Sequence, residues 1–116
     1  MTEAKQILIV EDEPLIAMML EDFLDILDRG VAGSVDSVAG ALERIDQGGI
    51  DAAILDVNLR GGEKSTPVAA ALAAAGVPFV FATGGSDDSV DEQFRDRPML
   101  QKPFTMDGVA KALSAL

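Results

Sequence analysis

Three uninterrupted apolar runs, Ile7 to Val10, Ala52 to Leu55 and Phe79 to Ala82, and a shorter one, Met99-Leu100 followed by Gln101, each lead into a polar group that phosphoryl chemistry can use. Those groups are Glu11-Asp12, Asp56, Thr83 and Lys102-Pro103. A strand with one face in water alternates apolar and polar residues, whereas a strand covered on both faces does not. Runs of this kind, separated by helix-like stretches, predict parallel strands sandwiched between helices. In open parallel sheets ligands bind beyond the carboxyl ends of the strands, so the four polar groups are expected along one edge.

The stretches between the runs carry helical punctuation. After a first strand at Gln6 to Val10, a helix is expected from about Pro14 to Leu27, with Pro14 in its first turn, Leu15, Met19, Phe23, Ile26 and Leu27 at helical spacing, and Gly30 as its stop. Val31 to Val35 reads as a weak second strand. Ser37 then caps a short helix carrying Val38, Ala41, Leu42 and Ile45, which Gly48-Gly49 ends. Beyond the third strand, Arg60-Gly61-Gly62 begins a loop and Val68 to Ala75 forms an alanine-rich helix closed by Gly76. Pro78 to Ala82 is the fourth strand and Met99 to Gln101 the fifth. Thr105 caps a last helix running to about Leu116, with Val109, Ala110, Leu113 and Leu116 on one face. The alternation calls for a fourth helix between Gly84 and Pro98, but only Val90 and Phe94 offer apolar anchors there, so a weak element is expected.

Composition bounds what such a sheet can do. A chain of 116 residues, 48% hydrophobic, fits one domain over residues 1–116, with no effector domain beside it. Nine basic against twenty acidic residues leave a net charge of −11, a field that argues against nucleic acid and anionic lipid as partners. The absence of cysteine and histidine removes thiolate and imidazole ligands, disulfides and histidine general bases, which leaves oxygen-ligated metals. The start, MTEAKQ, has neither a basic leader nor a long apolar region, and no run reaches the roughly twenty apolar residues that span a bilayer; a soluble cytoplasmic protein is expected.

Taken singly, each polar group has an ordinary structural explanation. Glu11-Asp12 could cap the first helix, Thr83 before Gly84-Gly85 could close a turn, and Lys102-Pro103 could be a simple X-Pro turn. Asp56 is harder to place that way, since it directly follows a buried run and no helix start needs it. The set has no such explanation. Clustered carboxylates repel one another unless a cation joins them, and an all-oxygen donor set with retained water suits Mg²⁺. A carboxylate nucleophile at Asp56, a hydroxyl at Thr83 and an ammonium at Lys102 are then the parts phosphoryl transfer requires.

At these residues the chain resembles the receiver domains of two-component response regulators, through ILIVEDEP, AAILDVNL, FVFATGG and LQKPF, over essentially its whole length. The resemblance implies a flavodoxin-like, doubly wound α/β fold, with five parallel strands in the order 2-1-3-4-5 flanked by five helices. It implies Asp56 as phosphoacceptor, Asp12 as direct Mg²⁺ ligand, Glu11 as a ligand through water, and Asn58 as a ligand through its backbone carbonyl. Thr83 is implied as the switch hydroxyl and Lys102 as the cation on the phosphoryl group, held by a cis bond to Pro103. The string Phe81-Ala82-Thr83-Gly84-Gly85 is similar to the FAT GUY receivers of alphaproteobacteria. These are often stand-alone and associated with HWE or HisKA2-type sensor kinases, which implies phosphorelay control such as the general stress response.

Met99 stands where many receivers carry Tyr or Phe, and the loop after Asp56 lacks a proline common there, which leaves its stiffness open. Phe104, Met106, Val109 and Leu113 admit two readings, an exposed output face or core. The resemblance implies a signalling protein whose own chemistry is limited to self-phosphorylation and dephosphorylation, with a sensor histidine kinase or phosphotransfer protein as partner. It is expected as a monomer, with dimerisation on phosphorylation an open possibility. A receiver-like adaptor that never takes phosphate is the alternative. An aspartyl-phosphate phosphatase is a weaker third reading, because Asn58 stands where a second acid would serve the leaving group.

Overall fold

Every residue of Ala52–Asp56 is buried, a pattern open only to a strand covered on both faces. The computed structural model describes residues 5–83, 99–101 and 104–116. Its strands are β1 (Gln6–Val10), β2 (Gly30–Val35), β3 (Ala52–Asp56), β4 (Phe79–Thr83) and β5 (Met99–Gln101). Helices α1 (Pro14–Ile26), α2 (Val38–Gln47) and α3 (Thr66–Ala74) connect the first four strands, and α4 (Met106–Ser114) follows β5. All pairings are parallel and the order is β2-β1-β3-β4-β5, as expected. Of the five expected helices four are described; the weak one falls on 84–98, outside the described residues.

Alternate strand residues feed two cores. Ile7, Ile9, Ile54 and Val80 pack with Leu20, Leu24, Val109 and Leu113 under α1 and α4. Leu8, Val10, Leu55, Phe79 and Phe81 pack with Val68 and Leu72 under α2 and α3. The Phe79 and Phe81 rings meet edge to face, with centroids 5.5 Å apart. Val109 and Leu113 are buried and so is Phe104, which decides for core over an exposed face. Ser37 and Thr105 accept from the amides of Gly40 and Gly108 as helix caps, as expected.

Helix α1 departs from expectation in the face it buries. Ala17, Leu20 and Leu24 lie against the sheet, Met19, Phe23 and Leu27 flank it half-buried, and Leu15 and Ile26 are 79% and 66% exposed. The helix is apolar around most of its circumference, so spacing alone does not choose the seam; contact with β1 and β2 does. Gly30 is not its stop either. Leu27 is the C-cap, Asp28 takes the left-handed conformation at φ 60°, and Gly30 already belongs to β2. Helix α3 starts at Thr66, two residues earlier than read, with Pro67 in its first turn.

Candidate functional site

Strands β1 and β3 are neighbours, with Val10 opposite Leu55, so the residues that follow, Glu11 and Asp56, emerge at the same level. The chain leaves β1 towards β2 and leaves β3 towards β4, in opposite directions along the sheet. This divergence opens a crevice at the strands' carboxyl ends. Glu11 and Asp56 are 4% and 6% exposed and Asp12 is half-buried. One carboxylate oxygen from each of the three lies within 4.8 Å of the others. The expectation of shared location thus holds for these three.

Neither Glu11 nor Asp12 is the cap of α1. That position is Glu13, which makes no side-chain cap bond, while Glu11 Oε2 accepts from the Glu13 amide at 3.3 Å. The Glu11 amide donates to Val35 O at 3.0 Å, tying the acid to the end of β2. An open cleft of about 360 Å³ runs from Glu11 and Asp12 to Asp36 and Gly40. Three carboxylates so close, two of them buried, repel strongly unless a cation sits among them, and a hard all-oxygen set fits Mg²⁺.

After Asp56 the chain turns back on itself. Val57 O accepts from the Ser65 amide at 3.0 Å and from its hydroxyl at 3.2 Å, Leu59 N donates to Glu63 O at 2.7 Å, and Asn58 bridges antiparallel to Lys64. Gly61 and Gly62, at φ 73° and 77°, make the tip. A loop whose stiffness was open for want of a proline is therefore closed by a small hairpin. Asn58 is half-buried, its amide oxygen accepting from Lys64 Nζ at 2.6 Å.

Thr83 is the half-buried last residue of β4, next to Ala82, which is opposite Asp56, so it ends on the same edge. Lys102-Pro103 directly follows β5 and lies outside the described residues, as does the expected cis bond. Met99, in the position read against the usual aromatic, is 42% exposed on β5. Sequence reasoning missed Asp36, although it follows the end of β2 just as Glu11 follows β1; the weakness of that strand hid the signal. It also missed Glu63, Lys64 and Ser65, which matter only once the hairpin is formed. Among the described residues no helix is long and apolar enough to cross a membrane.

This constellation, on a sheet of this order, defines a signal-receiving domain. The chain belongs to the family of response regulator receiver domains, whose model matches residues 7–114. The solution structure of SdrG from Sphingomonas melonis Fr1 is similar at 79% identity and a TM-score of 0.89, covering 99% of this chain and 98% of that one. The BeF3-activated conformation of SdrG from Pseudomonas melonis Fr1 shares the same identity and coverage, with a TM-score of 0.84. The receiver domain of PhyR from Erythrobacter litoralis is 29% identical with a TM-score of 0.83, covering 97% of this chain and 88% of that one. A structure of the PhyR stress response regulator is 27% identical with a TM-score of 0.80, covering 95% of this chain but 43% of that one. The comparison with curated proteins finds no match.

Proposed function

We propose that this protein is a stand-alone cytoplasmic receiver that takes a phosphoryl group onto Asp56 and signals through protein contacts or by passing the group on. The observation that carries this reading is the convergence of Glu11, Asp12 and Asp56 within 4.8 Å at the carboxyl edge of a receiver-family sheet. The chain contains no histidine, so the phosphohistidine donor is another protein, a sensor histidine kinase of the HWE or HisKA2 type or a phosphotransfer protein. An Asp56 oxygen attacks phosphorus, the phosphorus–nitrogen bond to the donor imidazole breaks, and the electron pair leaves with that ring.

Asp12, Asp56, the Asn58 carbonyl and, through water, Glu11 would hold Mg²⁺, which when bound offsets negative charge on the phosphoryl oxygens. Thr83 donates its hydroxyl to one of those oxygens and Lys102 its ammonium to another. Burial of Glu11 and Asp56 supports the reading, because it withdraws the carboxylates from the bulk water that would screen them. SdrG in its BeF3-activated conformation supports it as well, since trifluoroberyllate has the shape and charge of a phosphoryl group. Similarity to a PhyR stress response regulator favours a role in general stress signalling.

Intact-mass spectrometry after incubation with acetyl phosphate tests the chemistry. One Mg²⁺-dependent phosphoryl adduct on the parent, lost in Asp56→Asn, is expected. No adduct on the parent, with acetyl phosphate or with a phosphorylated kinase, would leave a phosphate-independent adaptor in its place.

A further inference from the structure

We infer that Glu63 and Lys64 form a two-strut brace that positions the Asn58 segment for the metal, with Lys64 acting through the Asn58 side chain. The inference rests on the reading of Asn58 as a Mg²⁺ ligand. Asn58 and Lys64 face each other across the hairpin, and the Lys64 ammonium holds the Asn58 amide oxygen at 2.6 Å. One residue earlier, Glu63 Oε1 accepts from the amide of Val38, the first residue of α2, at 2.9 Å. The arm opposite Asn58 is thereby anchored to a neighbouring helix as well as to its own partner arm. At the tip, Gly61 and Gly62 both adopt positive φ and a Cβ on either would meet nothing within 4 Å, so the tip itself supplies no packing. The far arm thus helps to steady Asn58.

Charge and position predict opposite results here. Lys64 is a cation bound to the side chain of the residue read as a metal ligand; if it mattered only by its charge, removing it would deepen the negative potential and tighten Mg²⁺ binding. If it matters by holding Asn58, removing it frees the segment that carries a metal ligand and weakens binding. Glu63 reverses the test. Glu63→Gln keeps an oxygen acceptor for the Val38 amide while losing the negative charge, so the brace predicts parent affinity where charge alone predicts weaker binding.

The experiment is a titration of the metal-free protein with MgCl₂, followed by amide chemical shifts, on the parent, Lys64→Met, Lys64→Arg, Glu63→Gln, Asn58→Ala and the Lys64→Met/Asn58→Ala double variant. Lys64→Met is expected to raise the Mg²⁺ dissociation constant about fivefold, the effect of losing one solvent-exposed hydrogen bond. Lys64→Arg restores parent affinity and Glu63→Gln matches it. In the Asn58→Ala background Lys64→Met adds no further loss, because the contact it removes is already gone. Lys64 is exposed, so the variants leave the core intact, and melting in chelator verifies that. Unchanged or tighter binding by Lys64→Met, weaker binding by Glu63→Gln, or an equal loss on the Asn58→Ala background overturns the brace. If the parent binds Mg²⁺ and takes a phosphoryl group from acetyl phosphate, such a result sinks this inference alone; a parent that does neither sinks the functional reading with it.

Discussion

Ser65 donates both its amide and its hydroxyl to the carbonyl of Val57, at 3.0 and 3.2 Å. Ser65 is 1% exposed, and its own carbonyl accepts from the amides of Val68 and Ala69 at the start of α3. One residue thus closes the loop that leaves β3 and opens the next helix. Its hydroxyl is committed to the loop, which is why it makes no side-chain cap bond. Ser65→Ala keeps the amide bond and loses the hydroxyl one, so a loss of about 1 kcal/mol is expected. Urea unfolding measures it; a parent-like midpoint would show that the hydroxyl contributes nothing.

The acidic cluster predicts a stability gain on its own partial removal. With three carboxylate oxygens within 4.8 Å of one another, Asp56→Asn relieves repulsion in the metal-free protein. In chelator it is expected to be more stable than the parent by about 1 kcal/mol. Destabilisation in chelator would mean that the Asp56 contacts outweigh the repulsion.

Mg²⁺ should stabilise the parent as well, by offsetting the same repulsion. A ligand that binds only the folded state at a hundred times its dissociation constant adds about 2.7 kcal/mol, which raises the melting temperature. Asp56→Asn, with one carboxylate fewer, should gain less. Equal melting in MgCl₂ and in chelator at matched ionic strength would count against a metal site.

At the end of α1, Asp28 holds the left-handed conformation at φ 60°, which glycine adopts without the Cβ clash. Asp28→Gly is expected to stabilise the fold by about 0.5 kcal/mol, the relief exceeding glycine's added unfolded-state freedom. Thermal melting that falls on this substitution would reverse the sign.

Two leucines of α1 should behave differently. Leu15 is 79% exposed and Leu24 fully buried. Leu15→Ala is expected to change stability by less than about 0.5 kcal/mol, and Leu24→Ala to cost about 3 kcal/mol. Similar costs at both sites would mean that α1 seats a different face on the sheet.

That contrast marks where pattern ran out. The apolar runs specified β1, β3 and β4 within a residue at each end, because a strand buried on both faces leaves no polar residue to blur its limits. Ser37, Gly48, Gly76 and Thr105 marked helix ends for reasons confined to a few neighbouring residues. Helix α1 offered apolar residues on nearly every side, and only contact with the sheet selected Ala17, Leu20 and Leu24.

Local order along the chain therefore determined the parallel sheet, its alternating helices and the placing of Glu11, Asp12 and Asp56 at strand ends. Each of these follows from interactions between residues near in sequence and from burial of continuous apolar runs. Tertiary structure alone decided which acids meet and what steadies them. The parallel pairing of β1 with β3 put Glu11 level with Asp56, and the hairpin put Lys64 on Asn58 and Glu63 on Val38. Glu63 and Val38 lie 25 positions apart, and a contact of that range exists only after chain topology has brought a loop against a helix that no spacing rule connects to it.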